Sequence, residues 1–113
     1  MCGFCGFTGE LVSRDGYIRQ MAEKITHRGP DSEGYYLGDG IAMGFRRLSI
    51  IDLAAGDQPL YNEDKTLVLT FNGEIYNYRP LREELLAAGH VFATESDSEV
   101  LLHGFEEWGE GLL

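Results

Sequence analysis

The first half of the chain carries apolar positions at both strand and helix spacings. A short apolar run from Gly3 to Thr8 predicts a strand. Farther along, apolar side chains recur at the spacing of one helix face: Ile18, Met21, Ala22 and Ile25. Asp15 is the predicted cap of this helix. Its end is expected near Arg28, because Pro30 disfavours helical geometry at the residue before it.

Three further runs predict strands in the middle of the chain. Gly34 to Leu37 and Ile41 to Leu48 are separated by Asp39-Gly40, a pair typical of a hairpin turn. Thr66 to Phe71 contains three consecutive apolar residues, Leu67 to Leu69. A strand with such a run is expected to be covered on both faces.

The last third predicts two helices with a strand between them. Pro80 opens a helix that reaches Ala88, and Gly89 stops it. His90 to Thr94 is a predicted strand. Ser96 to Trp108 is the second helix, and Ser96-x-x-Glu99 matches a capping box. Its apolar stripe is predicted to comprise Val100, Leu101, Phe105 and Trp108.

Composition adds a class to this order of elements. The chain has 113 residues, 43% hydrophobic and 25% charged, which suits one soluble globular domain over residues 1–113 with helices layered on sheet. Its net charge of -10 disfavours nucleic acid and anionic membrane surfaces as partners. Neither a membrane-length apolar run nor a signal peptide is evident, so a cytoplasmic location is expected.

Cys2 is the first residue with candidate chemistry. A small residue after Met1 permits removal of that methionine, and an N-terminal cysteine can then be nucleophile and base at once. Position alone favours a structural interpretation, in which Cys2 and Cys5 are small core residues without a catalytic role. The Cys2-x-x-Cys5 pair could also serve metal or redox chemistry. No second such pair exists and the three histidines are scattered, so no metal site is predicted.

Three other positions offer a polar site, each with a structural alternative. Asn72-Gly73 is either a type I′ hairpin turn or a pair of donors to a developing oxyanion. Arg47, at a predicted strand end, is either a surface charge or a two-pronged ligand for a carboxylate. Asp97 is either a first-turn acid favoured by the helix dipole or a partner for a substrate ammonium.

Six short motifs occur together and in order along the chain. They are Met1-Cys2-Gly3, His27-Arg28-Gly29-Pro30-Asp31, Arg47-Leu48-Ser49-Ile50-Ile51-Asp52, Gln58-Pro59-Leu60-Tyr61, Asn72-Gly73-Glu74-Ile75-Tyr76-Asn77 and Ser96-Asp97-Ser98-Glu99. Together these motifs resemble the N-terminal glutaminase domain of glutamine-hydrolysing asparagine synthetases, over essentially the whole sequence.

The resemblance implies an α+β fold, the four-layer α-β-β-α sandwich of N-terminal nucleophile hydrolases, and class II glutamine amidotransferase activity. Cys2 would attack the side-chain amide of L-glutamine, with Asn72 and the N–H of Gly73 stabilising the oxyanion. Arg47 would bind the substrate carboxylate and Asp97 its amino group. The remaining pocket residues implied are Leu48, Ser49, Ile50, Ile51 and Glu74. No metal or cofactor is implied for this half-reaction.

The resemblance also implies what lies outside the chain. The chain is expected to be a fragment, with the sandwich incomplete at its C-terminus. In the family, a C-terminal synthetase domain uses ATP and Mg²⁺ to transfer the ammonia to aspartate, and a homodimer of the full-length protein is a candidate assembly. Two alternatives stay open: a class II amidotransferase with a different ammonia acceptor, and a non-catalytic metal or redox module built on Cys2 and Cys5.

Overall fold

A computed structural model describes residues 2–10, 12–48 and 58–113. Within these ranges the fold is α+β, as expected, and the chain divides into two compact units. Unit 1 comprises Met1–Pro59 and Thr70–Asn72, and unit 2 comprises Leu60–Leu69 and Gly73–Leu113. Over the described residues, the helices are all too short or too polar to cross a bilayer.

Unit 1 is built on a three-stranded antiparallel sheet. Its strands are β1 (Gly3–Thr8), β2 (Ser32–Gly38) and β3 (Ile41–Arg47), in the order β1-β3-β2. The predicted first strand and the predicted hairpin at Asp39-Gly40 are both confirmed. Gly40 has a φ of 70°, a conformation that glycine adopts without steric cost.

A helix, α1 (Arg14–Lys24), packs on this sheet, mainly against β3. Ile18 and Ala22 are both fully buried, which confirms the predicted helix face. The predicted cap is wrong: Ser13 occupies the cap position, and Asp15 lies in the first turn, paired with Arg19 at 3.0 Å. An i, i+4 ion pair engages the Asp15 carboxylate in place of the backbone.

The helix also ends earlier than predicted, at Lys24. The next residues form tight turns in which the N–H of Arg28 bonds to the carbonyl of Ile25 at 3.0 Å, and that of Gly29 to Thr26 at 3.1 Å. These turns carry the chain to Pro30 without continuing the helix. Pro30 was expected to end the helix near Arg28, but the helix has already ended at Lys24.

Unit 2 contains a short antiparallel pair, β4 (Leu60–Tyr61) and β5 (Val68–Leu69). The predicted strand from 66 to 71 is therefore reduced to two residues, and Leu67 to Leu69 are only half-buried. The buried Asn62 side chain explains the shortening at its start. It accepts a hydrogen bond from the N–H of Leu67 at 2.8 Å and donates to the hydroxyl of Thr66 at 2.9 Å, which holds these residues in the turn.

Two helices complete unit 2, α2 (Tyr78–Ala87) and α3 (Ser98–Trp108), followed by a 3₁₀-helix at Gly109–Leu112. Helix α2 begins before Pro80, which occupies its first turn, where a missing N–H costs nothing. The predicted stop at Gly89 is confirmed by its φ of 100°.

The strand predicted from His90 to Thr94 is wrong. Three of the backbone donors in this segment bond to carboxylates instead of a neighbouring strand. The N–H of Val91 donates to Glu63 at 2.8 Å, while those of Ala93 and Thr94 donate to the two oxygens of Glu99 at 2.7 and 2.8 Å. Side chains therefore satisfy the backbone groups that a sheet would have used.

Glu99 serves this loop and not a capping box, so that prediction is also wrong. Asp97 occupies the cap position of α3, and the buried Glu99 carboxylate turns toward the loop. Burial by itself raises the pKa of Glu99, but hydrogen bonds from the Thr94 hydroxyl, the Ala93 N–H and His103 outweigh it and lower that pKa.

The buried face of α3 is rotated relative to the predicted stripe. Val100 is buried, whereas Phe105 is 48% and Trp108 36% exposed. Leu102 and His103 lie inside in their place. Apolar spacing alone did not reveal this, because the buried face includes a histidine and the Glu99 carboxylate.

Candidate functional site

Cys2 lies at the start of β1, where the sheet register brings it to the end of β3. Gly3 is opposite Arg46, so the chain just beyond β3 passes beside Cys2. The N–H of Leu48 donates to the Cys2 sulfur at 3.3 Å, and the thiol is 3.8 Å from the Leu48 carbonyl oxygen. The sulfur is thus held by backbone groups of a residue that the sequence assigned to the pocket.

The carbonyl oxygen of Cys2 is fixed as well. The amide nitrogen of Asn72 donates to it at 3.0 Å, and Nε of Arg28 donates at 3.2 Å. A cavity of about 260 Å³ opens next to these groups. Its lining consists of Gly3, Phe4, Ile25, Arg28 and Asn72. Two predicted site residues, Cys2 and Asn72, therefore meet beside a cavity within unit 1.

Arg28 is the site residue that sequence reasoning missed, since the sequence marked it only as the expected end of the first helix. The signal available was its place in a motif with glycine and proline. Gly29, next to it, is buried, and a Cβ there would collide with the backbone of Arg46 and Arg47. Arg46 in turn donates to the Gly29 carbonyl at 2.9 Å. The motif therefore packs against β3 and brings Arg28 to Cys2.

Arg47 is the last residue of β3 and is only 7% exposed. Its carbonyl accepts a hydrogen bond from the N–H of Asp31 at 3.0 Å. A buried arginine at a strand end excludes the surface-charge alternative. Leu48 follows it and contacts Cys2, whereas the predicted pocket residues Ser49, Ile50 and Ile51 lie outside the described residues.

Asn72-Gly73 does not form the hairpin that the dipeptide alone favours. A type I′ turn requires positive φ at both central residues, and neither has it. The next regular element after Gly73 is helix α2. The Asn72 amide, with two hydrogens, bonds to Cys2 through one of them and keeps a second donor.

The other predicted site residues lie in unit 2. Oδ2 of Asp97 accepts a hydrogen bond from the N–H of Ile75 at 2.7 Å, so Asp97 ties the cap of α3 to the segment around Glu74. Gly73 and Glu74 are both exposed. Asp97 is thus a structural acid of unit 2 with one carboxylate oxygen committed to the backbone.

Cys5 differs from Cys2. Both are free thiols, and neither belongs to a group of three or more candidate metal ligands in the parts of the chain that the structure describes. Burial raises the pKa of Cys5, against a smaller lowering effect of the Gly44 backbone. A raised pKa makes a poorer nucleophile at neutral pH, since the thiolate is the reactive form.

Comparison with known proteins extends over the whole sequence. A family model for a glutamine amidotransferase domain matches residues 1–113. Asparagine synthetase [glutamine-hydrolyzing] 1 of Bacillus subtilis (strain 168) is 50% identical over 97% of this chain and 18% of its own length.

Two further relatives agree. Asparagine synthetase [glutamine-hydrolyzing] 2 of the same bacterium is 42% identical over 100% of this chain and 16% of its own length. Asparagine synthetase [glutamine-hydrolyzing] of Zea mays is 43% identical over 97% of this chain and 19% of its own length. The chain thus spans less than a fifth of the length of each of these three relatives.

Proposed function

The chain belongs to the glutamine amidotransferase domain family, and from that premise we propose that Cys2 hydrolyses the side-chain amide of L-glutamine to glutamate and ammonia. The contact that carries the proposal is the hydrogen bond from the main-chain N–H of Leu48 to the Cys2 sulfur. Asn72 and Arg28 contact the Cys2 carbonyl and line the neighbouring cavity. These two hydrogen-bond donors thus border a space that is large enough for a small amide.

The proposed reaction has two stages. The Cys2 sulfur bonds to the amide carbon of glutamine, and the carbonyl electron pair moves to oxygen. The second amide hydrogen of Asn72 and the N–H of Gly73 donate to that oxyanion. The α-amine of Cys2, freed by removal of Met1, takes the proton of the thiol and passes it to the leaving nitrogen. Ammonia departs as the C–N bond breaks, leaving a thioester.

Water then completes the cycle. It adds to the thioester carbonyl, the C–S bond breaks, and glutamate leaves with the thiol restored. Arg47 is proposed to hold the substrate α-carboxylate, with Asp97 on the α-ammonium. The other proposed lining residues are Leu48, Ser49, Ile50, Ile51 and Glu74. This half-reaction needs no metal or cofactor, since a thiol and fixed hydrogen-bond donors suffice.

The proposal extends to the complete fold and to the acceptor of the ammonia. The α+β elements of residues 1–113 are assigned to the four-layer sandwich of N-terminal nucleophile hydrolases. The ammonia is assigned to an ATP- and Mg²⁺-dependent transfer to aspartate, in a synthetase region of a longer protein. Identities of 42–50% to asparagine synthetases favour aspartate over other acceptors.

Mass spectrometry after treatment with a diazo-ketone analogue of glutamine tests the proposal. We expect loss of Met1 and one adduct on Cys2, protected by excess glutamine. Cys5 is the internal control, because its raised pKa leaves little thiolate at pH 7. Folding is checked by circular dichroism. Equal labelling of both cysteines, or a folded chain labelled at neither, would contradict the assignment.

A further inference from the structure

Four side chains of unit 2 converge although the sequence spaces them irregularly. One nitrogen or oxygen atom from each lies within 4.8 Å of the others. They come from the turn between β4 and β5, the segment after α2, and α3. The residues are Glu63, His90, His103 and Glu106. The glutaminase proposal uses none of them.

Hydrogen bonds to carboxylates orient the two histidine rings. Nε2 of His103 is 3.2 Å from the buried Glu99 carboxylate, and Nε2 of His90 is 2.8 Å from Glu107. An ionised carboxylate only accepts, so each Nε2 is the donor of its pair. Each Nδ1 is on the other side of its ring and faces the carboxylates of the cluster. Histidines that bind metals are oriented in this way.

The two carboxylates are oriented as well. Oε1 of Glu63 accepts from the N–H of Val91 at 2.8 Å, and Oε2 of Glu106 accepts from the amide of the buried Asn62 at 3.2 Å. Each of the four side chains is therefore held by a hydrogen bond to a group outside the cluster, the two histidines through Nε2. Such outer partners reduce the ordering cost of binding an ion.

His103 shows that the cluster is not a satisfied hydrogen-bond network. The residue is fully buried, and its Nδ1 has no hydrogen-bond partner. Oε1 of Glu63 is only 3.1 Å from this nitrogen but is not aligned for a hydrogen bond. Two ligands of one metal ion have this geometry, because both atoms point at the ion and not at each other. Without such an ion, a buried nitrogen that has no hydrogen-bond partner destabilises the fold.

The spacing suits a tetrahedral ion. Bonds of about 2.0–2.1 Å place neighbouring ligand atoms about 3.3–3.4 Å apart. Nδ1 of His103 is 3.1 Å from Glu63 and 4.0 Å from Glu106, and Nδ1 of His90 is 3.7 Å from each. These four distances bracket the expected edge, so small side-chain shifts close the site.

We propose that Glu63, His90, His103 and Glu106 form a structural zinc site that joins three segments of unit 2. Two carboxylates balance the charge of Zn²⁺, and two imidazoles supply nitrogen ligands of the kind that zinc prefers. The ion joins the β4–β5 turn, the chain after α2, and α3. It also supplies a partner for the buried Nδ1 of His103.

Zinc titration of the full 113-residue chain tests the site, with Cys2→Ser and Cys5→Ser substituted so that thiols bind no metal. We expect one Zn²⁺ per chain by calorimetry after chelator treatment. At a zinc concentration about 100 times Kd, Tm is expected to rise by roughly 10 °C. Absence of stoichiometric zinc from the folded chain would overturn the proposal.

Substitutions locate the ion. Glu63→Gln and His90→Asn, both outside the helices, are expected to weaken zinc binding more than tenfold. Glu107→Gln, which removes only the outer partner of His90, is expected to weaken it by roughly 10–100-fold. His27→Asn is the matched control, an exposed histidine of unit 1, and should leave the affinity within about twofold. Equal affinity in His90→Asn and His27→Asn would contradict the site.

Nitrogen NMR of the unsubstituted chain gives a second measurement that needs no variant. Zinc is expected to shift the Nδ1 signals of His90 and His103 and to leave those of His27 unchanged. Nδ1 signals of both rings that do not move on zinc addition would mean that a metal-free, ion-paired cluster occupies this part of unit 2 instead.

Discussion

Hydrogen bonds hold both the sulfur and the carbonyl oxygen of Cys2, so the position of the proposed nucleophile is fixed. Its sulfur accepts from Leu48, and its carbonyl accepts from Asn72 and Arg28. Asn72 therefore has two tasks in the proposal: it positions Cys2 with one hydrogen and stabilises the oxyanion with the other. Sequence reasoning identified the second task from the residue type and had no means to find the first.

Asn72→Ala is expected to lower glutaminase turnover by about 10²–10³, because one oxyanion donor is lost. Glutamate release measures the effect. Asn77→Ala is the matched control, since Asn77 is exposed in the same segment and makes no side-chain cap. It should keep turnover. Unchanged turnover in a folded Asn72→Ala chain would remove Asn72 from the proposed mechanism.

At the scale of elements, the turn after α1 carries as much of the site as the strands do. Gly29 is buried against the β3 backbone, which lets Arg28 reach Cys2. From Pro30 the sequence predicted that the helix would end there. It did not predict that the turn packs on β3, because that contact joins residues far apart in the chain.

Gly29→Ala is expected to destabilise the chain by about 1–3 kcal/mol, because its Cβ would overlap the backbone of Arg46 and Arg47. Gly16→Ala is the matched control, since a Cβ on Gly16 in α1 would meet nothing within 4 Å. That change should stabilise by up to about 1 kcal/mol through helix propensity. Urea denaturation compares the two, and equal midpoints would refute the packing argument.

Local elements were predicted where local rules decide them. The β2–β3 hairpin follows from Asp39-Gly40, and the end of α2 follows from Gly89. The segment from His90 to Thr94 was predicted wrongly because Glu63 and Glu99 bind its backbone. Strand propensity depends on the residues of the segment itself, so it does not reveal carboxylate acceptors that other elements supply.

At the scale of the whole molecule, the two units differ in how their backbones are protected. In unit 1, β3 is paired along both edges. In unit 2, the strands β4 and β5 are two residues each, and within the described ranges of the chain they pair only with one another. A short two-stranded pair is weak by itself, so unit 2 depends on its helices and on the polar cluster around His103.

Hydrogen exchange is expected to reflect this difference. Amides of β3 should exchange at least tenfold more slowly than those of β4 and β5, because opening β3 breaks bonds along both of its edges. Exchange followed by mass spectrometry or NMR, in metal-free buffer, measures the rates. Protection of Val68 and Leu69 equal to that of β3 would show that the short pair is more stable than its bonding indicates.

The sequence by itself determined the family motifs, the strand β1, the hairpin and the net charge, and it supplied Cys2 and Asn72 as candidates for the proposed chemistry. These depend on residue type and on neighbours in the chain. Only the tertiary structure decided that Arg28 reaches Cys2, that Glu99 binds a loop, and that His90 and His103 meet Glu63 and Glu106. Those contacts join distant segments, and their free energy depends on burial and alignment that no local pattern contains.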